Sequence, residues 1–189
     1  MEIKEAMPFI VNEAAKLGYP VDEMVVGGGS AGGCLALIYA YRDAADAPVP
    51  VRMVFEGVGP SSFYKEDWKS YGTDKSDEVA AYLFGTMRGE EIDPAILGTE
   101  KYDELMKPIS ALLNVDENTV PTVMAYGKYD KVQPYEASIR LDQALTEAGV
   151  DHEYIVFEHS GHGLQNDDKE MIQYNEAVLD YLNRYMPIE

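Results

Sequence analysis

Three residue types in this sequence could together deprotonate a hydroxyl and attack a carbonyl: a serine, a histidine and a carboxylate. Ser30 stands in Gly28-Gly29-Ser30-Ala31-Gly32-Gly33, entered by the apolar run Met24-Val25-Val26 and followed by a helical pattern. A strand that breaks sharply into a helix would lift the serine Oγ to the helix amino terminus, where the Ala31 N–H can help bind an oxyanion. The glycines suit such a turn, because bulkier residues at Gly28 and Gly32 would clash with the neighbouring strand and helix. A phosphate-cradling loop is the competing reading. No Gly-Lys-Ser/Thr follows, and no Gly-x-Gly-x-x-Gly places its third glycine correctly.

A serine hydroxyl needs a base, and the base needs an orienting acid. The histidines are His152, His159 and His162. His152 reads as a surface residue ahead of a strand. His159 and His162 lie in Glu158-His159-Ser160-Gly161-His162-Gly163, just past the last strand. The glycines around His162 allow close approach and favour it as the base over His159; a purely structural loop histidine is the alternative. For the acid, Asp130 follows the strand ending in Tyr126-Gly127. Taken alone, it reads sooner as a turn-former or a cap for the helix near Pro134 than as the acid of a triad. Asp167 and Asp168 read as acids in the first turn of the last helix.

The elements that must position these residues alternate. Apolar runs at Met24–Val26, Val49–Phe55, Thr122–Tyr126 and Tyr154–Phe157 suit buried strands. Helical patterns fall at 3–17, Ala31–Tyr41, Tyr135–Ala148 and Lys169–Tyr185, with Pro8 tolerable only in a first turn. Alternation of this kind predicts a three-layer α/β/α sandwich with a mostly parallel sheet, one domain over 1–189. Residues 60 to 118 are too long for a simple loop and carry short helical stretches at Asp77–Met87 and Glu100–Met106. They read as an inserted cap over the carboxyl ends of the strands, with a mere covering of the sheet as the alternative.

Lys and Arg total 15 against 34 Asp and Glu, a net charge of −19. That surplus disfavours binding to nucleic acid or to an anionic membrane surface. The single cysteine, Cys34, sits in an apolar run and reads as a packed core thiol. No run approaches the ~20 apolar residues of a membrane span. The acidic start Met1-Glu2-Ile3-Lys4-Glu5 lacks a signal-peptide pattern, so a cytoplasmic location is expected. No His/Cys/carboxylate cluster has metal-ligand spacing, and no metal or organic cofactor is expected.

Three quoted segments occur in one order: Gly-Gly-Ser-Ala-Gly-Gly, then Pro121 to Gly127 with Asp130 and Val132-x-Pro134, then Ser160-Gly161-His162-Gly163. Together they resemble the α/β-hydrolase superfamily, especially its carboxylesterase and dienelactone-hydrolase-like or prolyl-oligopeptidase-like branches. The likeness covers Met24 to Tyr41 and Pro121 to Leu164, plus a final helix. It implies Ser30 as nucleophile, Asp130 as acid and His162 as base, in the serine–acid–histidine order of that fold. Tyr126 departs from the histidine many relatives carry there, outside the implied triad.

A second departure is larger. The family places several strands and a His-Gly-Gly-type loop before the elbow strand, and that loop donates an oxyanion N–H. No such loop lies upstream of residue 24, so the chain resembles the carboxyl-terminal two-thirds of the fold, a truncated version of it. Two expectations follow. The elbow strand becomes a sheet edge that invites a homodimer or other homo-oligomer. The second oxyanion donor must come from Gly27–Gly29, the cap or a partner chain, or else activity is residual. The resemblance implies a serine hydrolase acting on a small carboxylic ester through an acyl-enzyme. The alternative is a weakly active or non-catalytic hydrolase-like protein serving binding or assembly. Peptidase, thioesterase and acyltransferase activities are not separated by these residues. Phe63, Tyr64, Trp68, Tyr71, Tyr82 and Phe84 either line an apolar acyl or aryl pocket or fill the core of the cap.

Overall fold

Each of the four apolar runs forms a strand: β1 (Met24–Gly29), β2 (Val51–Gly57), β3 (Thr122–Gly127) and β4 (His152–Phe157). They lie side by side in chain order, all parallel. The computed structural model describes residues 2–187. Its helices are α1 (Glu2–Lys16), α2 (Ala31–Ile38), α3 (Asp77–Arg88), α4 (Glu100–Met106), α5 (Tyr135–Ala148) and α6 (Asp168–Tyr185).

Strand alternation divides the core in two. Val26, Val54, Met124 and Tyr126 face one way and pack with Leu37 of α2 and Leu141 and Leu145 of α5. Met53, Val123, Ala125, Ile155 and Phe157 face the other way and pack with Tyr181 of α6. Helices therefore cover both faces, which is the three-layer α/β/α sandwich read from the sequence. All six residues of β3 are buried, as befits a strand enclosed on both sides.

The boundaries differ from the predicted ones for local reasons. β2 starts after Pro50, whose carbonyl accepts from Met24 N, and runs on to Gly57. α2 stops at Ile38, and the chain continues as a π turn over Tyr39–Asp43 and a 3₁₀ turn over Ala44–Asp46. Pro8 lies inside α1, beyond its first turn. That helix buries only part of its apolar stripe: Ile3 and Met7 pack on the core, while Phe9 and Ile10 stay exposed. No helix of the described residues is long and apolar enough to cross a membrane.

Between β2 and β3 the chain builds a core of its own. Phe63 stacks on Trp68 at 5.8 Å, and Phe84 meets both rings edge-on. Phe63, Trp68 and Phe84 are 4%, 1% and 0% exposed. Rings so fully enclosed cannot line an acyl pocket, so for these three the core reading holds. Tyr82 is exposed, and Tyr64 is turned to Asp103 by its hydroxyl. The segment is tied to α5 by an ion pair between Asp67 and Arg140. Near the carboxyl end of β3, the Tyr71 hydroxyl donates to the Val132 carbonyl at 2.9 Å.

Candidate active site

β1 breaks into α2 at Ser30, whose φ of 54° and ψ of −125° lie where side chains are rarely tolerated. The strain is held from two sides. Ser30 N donates to the Gly57 carbonyl of β2 at 2.8 Å, and its own carbonyl accepts from Cys34 N at 3.1 Å. A methyl group at Gly28 would meet the Gly32 carbonyl at 2.3 Å, so glycine is obligatory there. Gly32 is different from its predicted role. A methyl there meets nothing within 4 Å, because that position faces an open groove along β1. The packing constraint falls instead on Gly33, where a methyl would approach Gly59 Cα to 3.1 Å. Ala31 opens α2, where backbone N–H groups have no partner within the helix.

His162 reaches this turn from the loop after β4. Its Nε2 lies 2.8 Å from Ser30 Oγ, and its Nδ1 lies 2.7 Å from Asp130 Oδ2. The Asp130 side chain is wholly buried, while the imidazole is 28% exposed. The other carboxylate oxygen accepts from Val132 N at 2.7 Å and Gln133 N at 2.9 Å. Asp130 thus satisfies both readings open at the sequence level: one oxygen organises the turn into α5 and the other faces the imidazole. A proton on Nδ1 shared with Asp130 leaves Nε2 to accept from the serine hydroxyl. That relay can take the serine proton as Oγ attacks a carbonyl.

The loop carrying His162 is fixed by a residue the sequence reading misassigned. Asp167 was expected to be a first-turn acid of α6; it turns back into the loop instead. It accepts from His159 N and from the Ser160 hydroxyl, and it faces His159 Nδ1 at 2.7 Å. Burial pushes its carboxyl upward, but the bonds from Ser160 and His159 outweigh burial and hold it below its ordinary value. Asp168 does occupy the first turn. The Ser160 carbonyl also accepts from Tyr129 N at 2.9 Å, joining the histidine loop to the acid loop. The junction is tight: a methyl at Gly127 would sit 2.3 Å from the Gly161 carbonyl. A backbone oxygen crossing a strand end is invisible in sequence spacing.

His152 is likewise not a free surface residue. It begins β4, with Nδ1 2.9 Å from the Val150 carbonyl and Nε2 3.1 Å from Asp142 Oδ1. Cys34 is packed as expected, and burial pushes its thiol up to about 11, which removes it as a competing nucleophile. Among the described residues no cluster of His, Cys, Asp and Glu could hold a metal ion. Sequence reasoning also passed over Glu56, a fully buried acid that follows the apolar run Met53-Val54-Phe55 in β2.

A parallel sheet sandwiched by helices, with a strained serine turn at its carboxyl edge, defines an α/β-hydrolase-like fold. Residues 1–145 match the BD-FAE family model, and the chain belongs to that family. Ser30 and Asp130 lie within the match, and His162 lies beyond it. Among solved structures, the chain is similar to a puromycin-hydrolyzing peptidase of Mycobacterium tuberculosis, with TM-score 0.68 and 20% identity over 95% of this chain and 24% of that one. An esterase of Thermogutta terrifontis gives TM-score 0.66 and 22% identity over 98% of this chain and 63% of that one. An acetyl ester-xyloside bifunctional hydrolase of Caldicellulosiruptor lactoaceticus gives TM-score 0.65 and 20% identity over 98% and 65%. The chain therefore spans less than about two thirds of the length of each. A comparison with curated protein sequences found no match.

Proposed function

We propose that this chain is a serine hydrolase that cleaves a small carboxylic ester through an acyl-enzyme. Ser30 attacks, His162 takes its proton and returns it to the leaving alcohol, and Asp130 orients the imidazole. The Ala31 N–H receives the developing oxyanion. One observation carries the reading: the unbroken chain from Ser30 Oγ through both nitrogens of His162 to Asp130, at 2.8 and 2.7 Å. The ester class draws support from the similar esterases, one of which is described as phosphoramylated by tabun. Residues 60 to 118 act as the cap over this site, with the Tyr71 contact to the acid loop as their point of attachment.

A fluorophosphonate probe with short p-nitrophenyl esters tests the reading. Wild type should be labelled and should turn over ester; Ser30→Ala should do neither. An intact wild type that takes no label overturns it.

The second reading, a weakly active or non-catalytic protein serving assembly, draws on β1. That strand ends the sheet, and a groove of about 340 Å³ lined by Ile3, Met7, Leu35 and Tyr39 runs beside it. Under either reading we propose that a second copy of the chain pairs along this edge. Light scattering that gives a monomer mass at every concentration would exclude the pairing.

A further inference from the structure

The nucleophile turn is held by β2, and β2 carries an acid with no exposed surface. Gly57 O accepts the Ser30 N–H, and Glu56, one residue earlier, is 0% exposed. Its Oε2 accepts from Gly59 N at 2.8 Å, closing the turn after the strand. Two glycines make room for that carboxyl. A methyl at Gly33, in the first turn of α2, would lie 2.9 Å from Oε2, and one at Gly59 would lie 2.8 Å away. The Tyr126 hydroxyl completes the cluster by donating to the Gly59 carbonyl at 2.7 Å. Between them Val58 adopts a φ of 51°, a strained value for a β-branched residue that persists only where its surroundings fix the backbone.

Resting on the hydrolase reading above, we propose that Glu56 is a positioning residue for Ser30, its carboxyl packed between the turn after β2 and the first turn of α2. Burial pushes Glu56 up to about 8, partly opposed by the bond from the Gly59 N–H. Oε1 has no hydrogen-bond partner among the described residues, so the ionised form is poorly satisfied. The titratable groups that face it are Cys34 of α2, Tyr41 of the π turn, Tyr126 of β3 and Tyr174 of α6. Burial raises each of these as well, so they are neutral at neutral pH and impose no opposing charge. Above about pH 8 the carboxylate forms beneath the amino terminus of α2. There it competes for the same helix end that stabilises the oxyanion.

A carboxyl whose folded value is raised holds its proton more tightly folded than unfolded. Its stabilising contribution is complete below the ordinary value of about 4.3 and is lost as the pH climbs to about 8. Glu56→Gln keeps the shape and an acceptor for Gly59 N but cannot ionise; Glu56→Leu removes both. The experiment measures kcat and KM for p-nitrophenyl acetate from pH 6 to 10, and the thermal midpoint from pH 5 to 9, for all three proteins. Glu56→Gln should keep kcat within about threefold at pH 7 and lose the fall in kcat near pH 8. Glu56→Leu should lose about tenfold or more in kcat with KM within about twofold. The wild-type midpoint should fall relative to Glu56→Gln between pH 5 and 8. Wild-type kcat in Glu56→Leu overturns the positioning role. An unchanged pH profile and midpoint slope in Glu56→Gln overturn the ionisation. The midpoint needs no turnover, so an inert wild type would defeat the hydrolase reading and the positioning role with it, while the slope would still decide whether Glu56 holds its proton. Wild-type kcat in Glu56→Leu defeats the positioning role alone.

Discussion

The loops at the carboxyl ends of β1, β3 and β4 hold two sets of the same three residue types. Ser30, His162 and Asp130 are joined in series, with the imidazole in the middle. Ser160, His159 and Asp167 are joined in parallel, with the carboxylate in the middle and both partners bonded to it. The order decides the chemistry. In the first set a base faces a hydroxyl on a strained turn. In the second the hydroxyl already donates to an acid, its oxygen accepts from Asn166 N, and the serine is fully buried. The second set is a clamp that holds the loop bearing the base of the first.

Removing each serine gives the widest separation. Ser30→Ala should abolish fluorophosphonate labelling and lower ester turnover by about 10⁴-fold or more. Ser160→Ala should stay within about tenfold of wild type and lower the thermal midpoint, because it takes one donor from the buried Asp167 carboxylate and leaves the Asn166 N–H without its acceptor. Equal loss of turnover in two well-folded variants would erase the distinction between series and parallel.

The acids sharpen the same contrast. Asp130→Asn keeps one oxygen for Val132 N and Gln133 N but turns an amide toward His162 Nδ1. That donor forces the other tautomer and leaves Nε2 protonated against the serine hydroxyl, so turnover should fall by about 10³–10⁴-fold while the fold survives. A midpoint that collapses together with activity would show the turn role of Asp130 to be dominant.

How far these sites were legible in the sequence follows from which forces set them. β1, β3 and the serine turn announce themselves through apolar runs and glycines, since burial and sterics act locally there. Asp130 was ambiguous because one carboxylate has two oxygens, and composition does not say that each has its own task. Asp167 was misread because an acid before a helix has the same sequence signature whether it faces the helix or the preceding loop. Gly32 and Gly33 were exchanged for a similar reason: only the packing of α2 on Gly59 shows which of two adjacent glycines lacks room. Glu56 carried a signal, a lone acid directly after Met53-Val54-Phe55, whose meaning needed the contacts of a neighbouring strand and helix.

A smaller effect tests the seam between the two sets. Gly127→Ala places a methyl 2.3 Å from the Gly161 carbonyl and must displace the loop of His162. A shift of that kind should cost about 10²-fold in kcat with KM less affected. Gly32→Ala, which meets nothing within 4 Å, is its control and should leave kcat unchanged within about threefold. Equal behaviour of the two variants would mean that the seam gives way without moving the base.

The smallest effect belongs to the clamp and is read through pH. Asp167→Asn should lower turnover by about tenfold or less, since His162 keeps Asp130 and loses only the rigidity of its loop. Its stability effect has a definite sign. The Asp167 carboxyl is held below its ordinary value, because the bonds from Ser160 and His159 outweigh its burial, so the folded chain releases that proton more readily than the unfolded one. Its contribution is complete above the ordinary carboxyl value of about 3.9 and is lost as pH falls through the lower folded value. Urea midpoints of wild type and Asp167→Asn should therefore differ at pH 6 and converge as the pH falls below the ordinary carboxyl range and through the lowered folded value. A gap that stays constant across that range would mean that Asp167 acts through shape alone, and the clamp would then owe nothing to its charge.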